Sequence, residues 1–154
     1  MHKLTLGTAC LFSIVALGAS ANEKLMDMQG NSAEWVMQTG NYANWRWSEL
    51  DAINKDNVGD LQVAWTMSTG VLRGHEGGPL IVDGMMYFTT PFPNNVFAVD
   101  LANEHVIKWK YEPKQDPSVI GVMCCDTVNR GVSYAPADGD RPALILLQQA
   151  DTTL

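Results

Sequence analysis

Asp83-Gly84 is the feature that most narrows the folds open to this chain. It stands between two short runs, Pro79-Leu-Ile-Val82 and Met85-Met-Tyr-Phe-Thr-Thr90. An Asp-Gly pair readily supplies the two positive-φ positions that a two-residue hairpin turn requires. A second pair of runs, Val96–Asp100 and Val106–Tyr111, follows across a short polar loop. Four short strands at about ten-residue spacing predict an all-β sandwich, barrel or propeller. Upstream, Leu61, Val63, Trp65 and Met67 alternate with smaller or polar residues, the period of a half-buried strand. Downstream, Val119–Met123, Gly131–Tyr134 and Ala143–Gln148 are three more strand candidates, with Pro113, Pro117, Pro136 and Pro142 between them. Ser48 is placed to cap a short helix through Lys55, with Glu49 and Asp51 in its first turn.

The first residues set the compartment. Lys3 precedes an apolar and small-residue run from Leu4 to Gly18, and Ala19-Ser20-Ala21 closes it. That is the order of a secretory signal peptide over residues 1–21, with cleavage before Asn22. The run is short for a bilayer span, which needs about 20 residues. Asn22 to Asn31 reads as a loose Met-rich arm, and Trp35, Tyr42, Trp45 and Trp47 as an aromatic wrap that packs on the domain. Loss of Lys3 takes the formal charge from −7 to −8. An acidic chain with scattered charge offers no footprint for nucleic acid.

Cleavage also removes Cys10 and leaves Cys124 and Cys125, which are adjacent. Neighbouring Cα atoms lie about 3.8 Å apart, whereas an ordinary disulfide wants roughly 5.5–6 Å, so a bridge between them is demanding. Two buried thiols in a core strand, or an incomplete soft-metal site, are the blander readings. Export to an oxidising compartment with no other cysteine as partner favours the vicinal disulfide.

Several segments together resemble one family. Trp65–Leu80 (W-T-M-S-T-G-V-L-R-G-H-E-G-G-P-L), Thr90–Asp100 (T-P-F-P-N-N-V-F-A-V-D) and Cys124–Gly131 (C-C-D-T-V-N-R-G) are similar to the N-terminal part of pyrroloquinoline-quinone (PQQ)-dependent alcohol dehydrogenases. Within that family the resemblance is closest to the large subunit of methanol dehydrogenases. Ile145–Leu154 together with Met123–Thr127 leans toward the lanthanide-dependent branch rather than the calcium one. The resemblance implies an eight-bladed β-propeller of four-stranded blades, with the quinone and a metal ion on its axis. The family's blades carry an A-x-D-x-x-x-G-x-x-x-W pattern. Ala98, Asp100 and Trp109 match it with one extra residue, and Glu104 or His105 stands where Gly belongs. Residues 48–154 are then the first blades of a propeller that this chain leaves incomplete, since a blade takes about 40–45 residues and closure takes about 4–8 blades.

The same resemblance assigns cofactor contacts. Cys124 and Cys125 match an adjacent-cysteine disulfide lying against one face of the quinone, Arg130 matches a cofactor-contacting Arg, and Glu76 matches a Glu of that pocket. A carboxylate beside a polycarboxylate cofactor needs a cation, so Glu76 is expected to pair with Arg130. Without the resemblance, Glu76 reads as a solvated turn residue. Asp126 and Asn129 are expected to orient this segment through Asx-type bonds, and His75 is given no role. The metal ligands, for a lanthanide or Ca²⁺, and the catalytic base are expected beyond Leu154, so no catalytic or metal residue is assigned within this chain. The implied activity is periplasmic oxidation of a primary alcohol to an aldehyde, with cytochrome c as electron acceptor and a homodimer or a small-subunit complex as assembly. A non-enzymatic periplasmic propeller scaffold is the alternative, and a small secreted binding domain complete in itself is a third.

Overall fold

The computed structural model describes residues 22–152 and 154, so the signal-peptide reading and Cys10 lie outside the described residues. Among the described residues six strands form: β1 (Leu80–Val82), β2 (Met85–Thr89), β3 (Val96–Asp100), β4 (Val106–Tyr111), β5 (Ser133–Ala135) and β6 (Leu144–Leu146). The first four make one antiparallel sheet in chain order, and β5 pairs with β6 in a second. The first sheet is a four-stranded antiparallel meander, the form expected of a blade, and the second is a two-stranded antiparallel pair.

Each turn in the first sheet has a local cause. Asp83 and Gly84 take φ of 50° and 72°, and Val82 pairs with Met85 across them, the backbone of a type I′ hairpin. Between β2 and β3 the loop is buried, so its polar groups must be satisfied internally. Thr90 and Asn95 exchange backbone and hydroxyl bonds, and the Asn94 amide donates to the Thr90 carbonyl. Between β3 and β4, Glu104 and His105 stand where the motif has Gly, and both adopt positive φ, 52° and 58°. The extra residue of the motif is also visible. Ala98 pairs with Trp109 but Val99 pairs with Ile107, so Lys108 bulges from the ladder and reaches Asp100 at 3.5 Å.

The blade motif has a steric reading. Leu80, Tyr87, Ala98 and Trp109 form one row across all four strands. Ala98 is fully buried, and its small side chain lets the Tyr87 and Trp109 rings meet beside it at 5.9 Å between centroids. Leu80 and Val96 then join Val132 and Leu147, which flank β5 and β6, in a buried cluster with Tyr87, Tyr134 and Ile145 against it. The two sheets are held together there.

The rest departs from the sequence reading. Residues 48–55 form no helix. The Ser48 hydroxyl accepts from Leu50 N–H, and Asn54 and Asn57 bond to nearby backbone, a set of local turns that competes with helical bonding. A single 3₁₀ turn, Val58–Asp60, follows. Residues 61–68 pair with no strand among the described residues. Of the expected inward set Trp65 and Met67 are half-buried, with Trp65 stacked on His105, whereas Leu61 and Val63 are exposed. Val119–Met123 is not a strand. Asp116 caps a 3₁₀ helix over Pro117–Val122, with proline at its start. The arm expected to be loose is a short helix, α1 (Glu23–Met28), capped by Asn22 and tied to Ala137 through Lys24. Of the four aromatics, Trp35 packs and bridges to Ile81 through two backbone bonds, whereas Trp45 and Trp47 are 69% and 64% exposed.

Among the described strands β4 presents an unpaired edge, and every residue of it is exposed. Unpaired edges template intermolecular pairing. The 154-residue chain alone is therefore expected to self-associate in light scattering. A monodisperse monomer with one sharp melt would show that the edge is protected. In whatever protein carries the chain, Leu80→Ala should cost about 2–5 kcal/mol in denaturant unfolding.

Candidate functional site: a vicinal disulfide facing a glycine-rich loop

Cys124 and Cys125 are bridged, with Cα atoms 3.8 Å apart, and both are exposed. Exposure removes the reading of two thiols buried in a strand. The backbone leaves the ring in an unusual way. Cys125, Asp126 and Thr127 have φ of 61°, 57° and 59°, three consecutive left-handed residues with no glycine. Each costs roughly 1–2 kcal/mol, and for β-branched Thr127 the conformation is a genuine outlier.

Neighbouring segments hold that turn. Thr127 is buried, its N–H donates to the Cys124 carbonyl at 2.9 Å, and its own carbonyl accepts from Phe92 N–H at 3.0 Å. On the other side the Asp126 carboxylate accepts from Gly74 N–H at 2.5 Å and lies 3.4 Å from the Arg73 guanidinium. Further along, Gly78 N–H donates to the Arg130 carbonyl, and the expected Arg130–Glu76 pair forms at 3.3 Å. Residues 73–78 and 126–131 therefore run against each other, held by these bonds.

Glycine makes that approach possible. A Cβ at Gly77 would stand 2.9 Å from the Asn129 carbonyl oxygen. At Gly131, φ is 133° and a Cβ would overlap the Gln38 amide, which donates to the Val132 carbonyl. The two sequence motifs, G-H-E-G-G-P and C-C-D-T-V-N-R-G, are thus two sides of one contact.

The Arg130–Glu76 pair is solvent-facing, at 73% and 48% side-chain exposure. It fixes orientation and adds little stability. Beside it lies an open cleft of about 310 Å³ lined by Asn94, Met123, Asn129, Arg130 and Gln148 among others. The cysteines border the same segment without lining this cleft. Asn129 takes the Asx role expected of it, accepting from Gly131 N–H, and its amide also donates to the Gln148 carbonyl. Asp126 does something else and reaches across to the facing loop. His75 closes its own turn, donating from Nδ1 to the Arg73 carbonyl, with Nε2 accepting from Thr69. The missed feature is the fastening of Thr127 to the Phe92 loop; the only signal in sequence is a β-branched residue three positions before Arg130. Among the described residues no cluster of three metal-ligating side chains occurs, and no helix is long and apolar enough to cross a membrane.

The family model for the β-propeller domain of glucose, ethanol and alcohol dehydrogenases of the PQQ type matches residues 35–154. The chain belongs to that family. It is 60% identical over its whole length to the lanthanide-dependent methanol dehydrogenase of Methylorubrum extorquens. It is 51% identical, over 98% of its length, to methanol dehydrogenase (cytochrome c) subunit 1 of Methylobacterium organophilum. It spans about a quarter of each of these relatives, 24%. Among solved structures, a europium-containing methanol dehydrogenase superposes on 74% of the chain with a TM-score of 0.71 and 50% identity, and the match takes in 20% of that protein. The four-stranded sheet and the β5–β6 pair accordingly belong to a PQQ-type propeller domain.

Reduction of the bridge should leave the fold in place, since a ring closed between neighbours hardly restricts the unfolded chain. Mass mapping without reductant should find Cys124 joined to Cys125, and a melt in mild reductant should move by no more than a degree or two. Two free thiols, or collapse on reduction, would contradict this geometry.

Proposed function

We propose that this chain forms one wall of the quinone pocket in a PQQ-dependent methanol or primary-alcohol dehydrogenase. The observation that carries the reading is the exposed Cys124–Cys125 ring held on the same two crossed segments as the Arg130–Glu76 pair. The fit to a flat, polyanionic quinone is good. The ring offers a flat, inflexible surface, and Arg130 offers a planar fork suited to carboxylate and carbonyl oxygens. Gln148 adds an amide-bearing side chain to the adjoining cleft, which Asn94 and Asn129 line with amides already bonded within the protein. Glu76 is already matched by Arg130, so it brings no uncompensated negative charge to an anionic ligand.

When bound, the quinone would supply the hydride-accepting chemistry of the reaction. What these residues do is bind and orient. The ring would limit how a bound quinone tilts, and Arg130 would hold its carboxylate or carbonyl oxygens. Glu76 holds the Arg130 head in place. In this reading the ligands for a lanthanide or Ca²⁺ and the general base are residues other than these four. Export to the periplasm after cleavage before Asn22, electron transfer to a cytochrome c, and a homodimer or small-subunit assembly belong to the same reading. It draws support from the names of the relatives. The propeller-scaffold alternative gives no reason for an exposed vicinal disulfide beside a paired guanidinium.

The test is dye-linked methanol oxidation, comparing a protein of the relatives' full length that carries this chain with the 154 residues alone. The longer protein should oxidise methanol with added quinone and a lanthanide, and more slowly with Ca²⁺. The 154-residue chain should give only the no-protein rate. Failure of the longer protein to bind quinone would favour the scaffold.

A further inference from the structure

We propose that Asp126 is the positioning residue of this wall, the side chain that sets where the Cys124–Cys125 ring stands relative to the Glu76 loop. The inference rests on the quinone-pocket reading above and adds a residue to it. Asp126 follows the ring directly and occupies the middle of the left-handed turn, at φ 57°. A glycine there would relieve the strain, so aspartate needs a compensating contact. Its carboxylate supplies one. One oxygen accepts from Gly74 N–H and the other faces the Arg73 guanidinium, so both oxygens point at the facing loop. A Cβ at Gly74 would stand 3.4 Å from the carboxylate, an ordinary van der Waals contact, so the bond comes from the backbone N–H and not from any special need for glycine there.

Position in the turn separates this contact from ordinary packing. The Asp126 side chain is 54% exposed, so no core holds it. The next residue, Thr127, is fastened on the opposite side to Phe92 N–H. The ring therefore sits on a turn secured at two points, one from the 90–95 loop and one from the 73–78 loop. Of the two partners of Asp126, the Gly74 N–H matters more. Hydrogen bonds to a charged acceptor are strong, whereas the exposed Arg73 pair is screened. Without the bond to Gly74, the ring and the Arg130–Glu76 pair remain, but their separation is no longer set.

The experiment titrates quinone into the metal-free protein of full length carrying this chain, followed by absorbance, and melts each variant in parallel. Asp126→Ala and Asp126→Ser, whose hydroxyl is too short to span to Gly74, should each weaken quinone binding about tenfold, the loss expected for one charge-assisted bond. Asp126→Asn keeps an acceptor for Gly74 N–H and should restore affinity to within about twofold of the parent, as should Arg73→Ala. Melting temperatures should change little across the set. Unchanged affinity in both Asp126→Ala and Asp126→Ser, with affinity lost in Cys124→Ser/Cys125→Ser, overturns the positioning role and leaves the pocket reading standing. An equal loss in Asp126→Asn and Asp126→Ala also overturns it. Unchanged affinity in the double cysteine variant overturns the pocket reading itself.

Discussion

The buried contact of Leu80 and Val96 with Val132 and Leu147 is the constraint from which the remainder follows. Leu80 begins the first blade immediately after the glycine-rich loop, and Val132 immediately follows Gly131. Packing those two side chains together brings residues 77–78 beside residues 129–131, whatever the polar groups between them do. Gly77 and Gly131 are then required by space, and Gln38 can reach over both segments to the Val132 carbonyl. Burial of a Leu or Val side chain is worth about 1.5–3 kcal/mol. That exceeds what any exposed ion pair at the site contributes.

Legibility in the sequence followed the range of the interactions. Hairpins whose turn chemistry is local, Asp83-Gly84 above all, were readable to within a residue at each end. The imperfect blade motif was informative in its imperfections. The surplus residue became the bulge at Lys108, and the missing glycine became two residues at positive φ. Where the reading failed, a local alternative beat the periodic signal. Ser48, Asn54 and Asn57 satisfied backbone groups in turns before a helix could. Pro117 and the Asp116 cap turned an apolar run into a 3₁₀ helix. The alternation of residues 61–68 survives only at Trp65 and Met67, with Leu61 and Val63 exposed, because a strand also needs a partner and periodicity says nothing of where one lies.

The site was legible in a different way. Nothing in composition or spacing ties Glu76 to Arg130; the resemblance named both residues, and a charge argument predicted their pairing. That argument assumed burial, and the pair is half-exposed or more, so the correct partner was reached through a cost the structure does not impose. The left-handed run at Cys125, Asp126 and Thr127 had only Asp126 to mark it, with no glycine or Asn in the run. Sequence patterns report backbone conformations that residues prefer. They are silent where tertiary contacts enforce one that residues resist.

Enforcement is also what separates this wall from a surface loop. Three left-handed residues cost roughly 3–6 kcal/mol together, comparable with the whole net stability of many domains. Such a turn persists only if the bonds around it cost more to lose than the strain costs to keep. The Thr127 carbonyl bond to Phe92 and the buried Thr127 side chain tie one side to the first blade. Asp126 ties the other to the glycine loop. Both anchors lead back to strands fixed by the blade contact, one through the β2–β3 loop and one through the approach to β1. The ring is therefore presented on strained backbone whose strain is carried by the core of the blades, which leaves the cysteines, Arg130 and Glu76 themselves facing solvent and available to a ligand.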